Sequence, residues 1–144
     1  MQVRRVPQNT KVNLGFNRIQ RLRDLDELAR LLFPGNKNHQ NIFLAIFLEL
    51  KYAEDSYLPK LTFITQKYDI SRRSMQRVRS KARKLGIIDH VSRFSQKLGY
   101  REGWVLSTRF ERSLEKLAEK VAGFKKQQEG AKREQKDWDA LDYV

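Results

Sequence analysis

Between Leu61 and Ile88 the chain reads LTFITQKYDISRRSMQRVRSKARKLGII, two short helical patterns joined by a tight turn. Leu61, Ile64 and Tyr68 form the apolar side of the first pattern. The turn is Asp69-Ile70, and Ile70 is expected to plug the core between the helices. Ser71 stands where an N-cap is wanted, because its hydroxyl can accept from backbone N–H groups that no helical carbonyl reaches. The second helix is expected to run to about Leu85 and stop at Gly86, a residue suited to a left-handed terminator. Its apolar side is Met75, Val78, Ala82 and Leu85, at spacings of three and four.

The other side of that second helix is basic. Arg72, Arg73, Arg77, Arg79, Lys81, Arg83 and Lys84 lie between Ser71 and Gly86, with no Asp or Glu among them. Like charges four residues apart weaken an isolated helix, so this load points to a polyanionic partner; the plainer alternative is a solvated face. The whole chain agrees in sign. Its 144 residues carry 30 Lys and Arg against 17 Asp and Glu, a formal net charge of +13. A chain this basic is expected to meet nucleic acid or an anionic membrane surface. No apolar run approaches the ~18 residues needed to span a bilayer. The start, MQVRRVPQNTK, lacks an apolar signal core, and a cytoplasmic location is the default expectation. The chain has no Cys, which excludes disulfides, thiolate metal sites and thiol catalysis.

Length suits one domain with appendages. Residues 1–15, with Pro7 and Gly15, read as a flexible basic arm. From Phe16 to Phe33 apolar residues recur at threes and fours, among alternating acidic and basic residues, and predict one helix closed by Pro34-Gly35-Asn36. A core helix is expected over about 38–53, apolar on most sides, with Asn38 as its cap. Pro59 suits the start of the helix that carries Leu61. After Gly86 the pattern changes. Ile87-Ile88-Asp89-His90-Val91 and Gly103-Trp104-Val105-Leu106-Ser107 are strand-like, and predict a hairpin over 87–108. Its long tip carries Arg93, Lys97 and Arg101 with Phe94 and Tyr100 interleaved. Phe110, Leu114, Leu117, Val121 and Phe124 make a heptad-like stripe in a C-terminal amphipathic helix over 110–126. Residues 127–144 are polar and low in complexity, expected to fray or lack order, although Trp138, Leu141 and Tyr143 stand among the final acidic residues. The fold class is therefore mainly α with a small β-hairpin.

A helix, a second helix, a turn, a basic helix and a two-stranded hairpin resemble the winged helix-turn-helix superfamily. The resemblance covers about 38–109. It is carried by Ile64-Thr65-Gln66-Lys67-Tyr68-Asp69-Ile70-Ser71-Arg72-Arg73-Ser74-Met75-Gln76-Arg77 and by Lys84-Leu85-Gly86-Ile87-Ile88. GntR- and MarR-type regulators show a similar run, with a Ser opening the recognition helix and an apolar-Gly-apolar-apolar string leading into the wing. No residues remain for a ligand-binding domain of the GntR kind. The resemblance implies a winged helix-turn-helix with extra N- and C-terminal helices, and double-stranded DNA as partner. The helix from Ser71 would enter the major groove, with Arg72, Arg73, Ser74, Gln76 and Arg77 toward base edges. Arg79, Lys81, Arg83 and Lys84 would meet phosphates or face solvent. Thr65, Gln66 and Lys67 could touch a phosphate. Arg93, Lys97 and Arg101 would reach the flanking backbone or minor groove.

Chemistry of other kinds is sparse, and the chain is not expected to be an enzyme or to need a cofactor or metal. His39 and His90 lack ligand-spaced partners. Glu49, Glu54 and Asp55 read as capping and solubility residues, and no phosphate-binding glycine motif occurs. The leading expectation is a sequence-specific transcriptional regulator. Alternatives are a replication, plasmid or phage origin-binding protein, a winged-helix protein-interaction module, and an RNA-binding variant. The stripes at 110–124 and 16–32 must each bury an apolar face. They do so either within one chain or across the two-fold axis of a homodimer.

Overall fold

A computed structural model describes residues 10–97 and 99–141. The chain is mainly helical, with one small antiparallel sheet. It divides into two compact units between Phe110 and Glu111. The first holds α1 (Phe16–Gln20), α2 (Leu25–Leu32), α3 (Lys37–Lys51), β1 (Tyr57–Leu58), α4 (Thr62–Lys67), α5 (Arg72–Leu85), β2 (Ile88–Ser95) and β3 (Gly99–Leu106). The helix α6 (Arg109–Phe124) starts at its end.

The core forms around α3. Ile42, Phe43, Ile46 and Leu50 are fully buried, and they meet Leu32 of α2, Ile64 of α4, Val78 of α5 and Ile88 of β2 in one cluster. Phe43 lies between Phe33 and Phe47, with ring centroids 5.3 and 5.7 Å away. The helix begins one residue earlier than predicted. Its cap is Asn36, whose side chain accepts from the His39 N–H at 3.0 Å, and not Asn38.

The predicted single helix over 16–33 is two helices. Asp24 caps α2 by accepting from the Glu27 N–H at 2.9 Å, while the Glu27 carboxylate accepts from the Arg23 N–H at 3.1 Å. This reciprocal capping satisfies donors that a continuous helix would have paired internally. Ala29, Leu31 and Leu32 are buried in their own chain's core. The α2 part of the 16–32 stripe therefore needs no second copy to cover it. Phe16 and Ile19 of α1 stay exposed.

The arm is also corrected in its described part. The Asn13 N–H donates to the Leu31 carbonyl at 2.8 Å, Val12 packs on the core, and the Lys11 carbonyl accepts from Lys81 Nζ. Residues 1–9 of the predicted arm lie outside the described residues.

The helix pair α4–α5 follows the sequence closely. Asp69 takes the left-handed conformation at φ 52°, and the Ile70 N–H donates back to the Thr65 carbonyl at 2.8 Å. Ile70 packs partly buried against the core. Ser71 accepts from the Ser74 N–H at 3.1 Å. Gly86 ends α5 at φ 88°, where a Cβ would press on the backbone of Arg109 and Phe110.

The hairpin differs from expectation in its length. Its strands pair without interruption from Ile88↔Leu106 to Ser95↔Gly99, so Arg93, Phe94, Tyr100 and Arg101 stand on strands and not in a long tip. Aromatic and β-branched side chains extend the ladder, and Gly99, at φ 72°, allows the tight reversal. Beside β3 lies β1, a strand the sequence analysis did not foresee, which gives the order β1-β3-β2. Tyr57 of β1 covers Gly103 so closely that any Cβ there would overlap its ring.

Arg109 fastens the hairpin to the end of α5. Its guanidinium pairs with the Asp89 carboxylate and also donates to the Arg83 and Ile88 carbonyls. Hydrogen bonding from Arg109 holds the Asp89 carboxyl below its ordinary pKa of 3.8, with Ser107 adding to it and burial opposing it. A lowered carboxylate pKa stabilises the fold above the unfolded value, and that contribution fades as pH falls through the folded one. Asp89→Asn is thus expected to cost about 1 kcal/mol at neutral pH, and the gap should close below about pH 4. Urea unfolding of both proteins across that range checks it. A gap that persists in acid would assign the loss to packing.

The second unit contains the rest of α6 and α7 (Ala131–Trp138), followed by a 3-10 turn at Asp139–Leu141. The order expected to be lacking beyond 127 is therefore present as a helix. Helix-favouring residues after Gly130 and the i,i+4 contacts Gln135–Asp139 and Trp138–Glu134 account for it. No residue of α6 is buried; Leu117 is 51% and Phe124 77% exposed.

Candidate nucleic-acid interface

Burying Met75, Val78 and Ala82 fixes the rotation of α5. Residues 73, 76, 77, 80 and 84 then share the outward side of the helix, by its 3.6-residue period. Arg73, Gln76, Arg77 and Lys84 are exposed there. Arg72, Arg79 and Arg83 form a second row along the flank nearer the hairpin.

That flank row has a landing place in Trp104, which sequence reasoning left out of the site. The guanidinium carbons of Arg79 and Arg83 lie 5.2 and 5.9 Å from the Trp104 ring centroid. The Trp104 ring also meets the ring of its cross-strand partner His90, centroid to centroid at 4.8 Å. Cation–π contact partly offsets the repulsion between two arginines one turn apart. It also ties the basic helix to β3. The sequence signal was a Trp in alternating strand register with Leu106, on the face that turns toward α5.

Lys81 is corrected. It is 7% exposed, its ammonium donates to the Lys11 carbonyl at 2.7 Å and lies 4.5 Å from the Phe33 ring centroid, and burial lowers its pKa. It belongs to the docking of residues 11–13 and is not available to a phosphate.

Lys67 is engaged elsewhere as well. Its ammonium and the Tyr68 hydroxyl both donate to Glu49 Oε1, and these two hydrogen bonds, that of Lys67 first, lower the Glu49 pKa. Thr65 donates its hydroxyl to the Thr62 carbonyl, and Gln66 is exposed. Ser71 serves as the cap, and Ser74 accepts from Asn38 at 3.4 Å. These two hydroxyls thus support the start of α5.

His39 sits half-buried against the same helix, edge-on to Phe33. Burial, and then the positive charges of Arg77 and Lys81, lower its pKa. A neutral imidazole there spares the basic surface one further charge at neutral pH.

On the hairpin, Arg93 and Arg101 are cross-strand partners. Arg93 stacks 5.2 Å from the Tyr57 ring centroid. Arg101 and Lys97 are exposed. The fold therefore gathers Arg72, Arg73, Gln76, Arg77, Arg79, Arg83 and Lys84 on one helix beside the hairpin. It leaves Lys67 and Lys81 out of the group.

No protein-family model, curated protein or solved structure matches the chain. Among the described residues, no group of three His, Asp or Glu is placed to hold a metal ion. No described helix is long and apolar enough to cross a membrane.

Proposed function

We propose that this chain binds double-stranded DNA as a winged helix-turn-helix protein and acts as a sequence-specific transcriptional regulator. The observation that carries this reading is the acid-free outward side of α5, where Arg73, Gln76, Arg77 and Lys84 stand exposed on a helix locked in rotation by its buried face. An α-helix fits the major groove, where Arg suits guanine and Gln suits adenine. Arg73, Gln76 and Arg77 read bases in this arrangement. Arg72, Arg83 and Lys84 position the helix on phosphates, and Lys97 and Arg101 of the hairpin reach the flanking backbone.

Selection from sheared genomic DNA supplies the site, and two variants then test the division of labour. Arg73→Ala is expected to cost about 1–3 kcal/mol on the selected site and to relax preference at one base position. Arg83→Ala is expected to weaken all sequences alike. Equal losses for both variants on selected and random DNA would refute the division.

The α6 stripe supports a homodimer in the same reading. With Leu114 and Val121 alternating against Phe110, Leu117 and Phe124 in heptad positions, a parallel pair sets Lys120 against Lys125 of the other copy. An antiparallel pair sets Glu111 near Lys125 instead, so charge favours the antiparallel pair. Sedimentation at tens of micromolar is expected to give a dimer that Leu117→Lys/Val121→Lys converts to monomer. A wild-type monomer, free and on DNA, would remove this part of the proposal.

A further inference from the structure

Two aromatic residues near the end of the hairpin are used by nothing described so far. Phe94 and Tyr100 are directly opposed across β2 and β3. They are 75% and 64% exposed. Single exposed apolar residues are ordinary, but two side by side on paired strands form a flat apolar surface in water. The Tyr100 hydroxyl bonds to Ser92 at 2.7 Å and to Glu102 at 3.1 Å, which steadies the ring by its edge and leaves its face open.

Their placement narrows the choice of ligand. Side chains alternate along a strand, so Phe94 shares a face with Ser92, His90 and Ile88, and Tyr100 with Glu102 and Trp104. That is the face on which Arg79 and Arg83 of α5 reach Trp104. The aromatic pair thus lies farther out along that same face, beyond Ser92 and Glu102. Lys97 stands exposed in the adjoining turn, while Arg101, one residue from Tyr100, projects from the other face. Flat rings next to the turn lysine, on the face that α5 approaches with its arginines, match a ligand that is itself flat and strung on phosphates. In intact duplex the base faces are covered by their neighbours and only edges show. A ring face can be met by a base only where the strand is unpaired.

We infer that Phe94 and Tyr100 are a stacking platform for unpaired bases, so that the protein prefers DNA with a locally opened stretch over fully paired duplex. This rests on the proposed binding of duplex DNA by α5, and adds to it a second site with a different ligand chemistry. Opening is not driven by the platform alone; it captures bases that have already left the stack, and α5 holds the adjacent duplex.

The test uses the full chain and three labelled DNAs of one sequence: a paired duplex, the duplex with a short mismatched bubble, and the same bubble with abasic sites in place of its bases. Wild type is expected to bind the bubble roughly tenfold or more tighter than the duplex, because stacking on an aromatic side chain is sensitive to its removal on about this scale. The abasic bubble should lose that gain. Phe94→Ala/Tyr100→Ala should lose it too, with duplex affinity unchanged. Phe94→Leu, which keeps apolar bulk without a ring, should lose part of it and guards against a folding artefact.

Equal binding of bubble and duplex by wild type would overturn the inference and leave the duplex proposal standing. A preference that survives in the abasic bubble would overturn it as well, since it would report flexibility and not stacking. Failure to bind any of the three would overturn both. Binding to phosphatidylserine vesicles that disappears in the double variant, without bubble preference, would give the pair to a membrane surface and overturn the inference.

Discussion

Raising salt from 50 to 200 mM is expected to weaken duplex binding by about 250- to 1,000-fold, a log–log slope near −4 to −5. The estimate follows from the exposed cations of α5 and the hairpin. Arg72, Arg83 and Lys84 on α5, with Lys97 and Arg101 on the hairpin, make about five phosphate contacts, each releasing nearly one counterion. Lys81 and Lys67 do not enter, because one is buried against Phe33 and the other is bound to Glu49. Neutralising Arg83 should flatten the slope by about one, and neutralising Lys81 should leave it unchanged. Fluorescence anisotropy over a salt series measures all three. A wild-type slope near −1 would mean that the basic side of α5 lies away from the DNA.

Phe43→Ala is expected to cost about 3–5 kcal/mol, through lost burial and the cavity left behind. Phe43 is 1% exposed and lies between two other aromatic rings in α3, the helix on which the core is built. A domain of this size has only about 5–15 kcal/mol to lose. The variant should therefore unfold at much lower urea, and its DNA affinity should fall with its folded fraction. Phe94→Ala offers the comparison. The same chemical deletion at a 75% exposed site should change stability by about 0.5 kcal/mol or less. A loss under about 1 kcal/mol for Phe43→Ala would mean that the core closes around the missing ring.

Local rules carried the reading of α4 and α5 a long way. Ser71 caps, Asp69 turns, Ile70 plugs and Gly86 stops because each acts on backbone groups a few residues away, and short-range chemistry is written in short stretches of sequence. The same kind of rule was present and outvoted at Asp24. There a capping pair with Glu27 broke a helix that apolar period alone would have run through. Asn36 took the cap expected of Asn38 for a similar reason, since either Asn satisfies the local pattern and the close packing of α3 selects the first.

Other decisions required the chain to fold back on itself. Helical period sets Lys81 nearer Val78 and Ala82 than Arg77 or Lys84, but only the arrival of Lys11 and Phe33 from about 50–70 residues away covers it. Lys67 became half of an ion pair because α3 brought Glu49 alongside. Trp104 joined the basic surface, and Tyr57 became a strand, through register across the sheet. Two residues are too few to show a strand's alternation on their own. The sequence by itself determined the sign of the surface, the turn between α4 and α5 and the existence of the hairpin, because charge and local backbone chemistry need no distant partner. The tertiary structure alone decided which cations stay free and which aromatics stay exposed, because burial is settled by what packs on a residue and not by its neighbours along the chain.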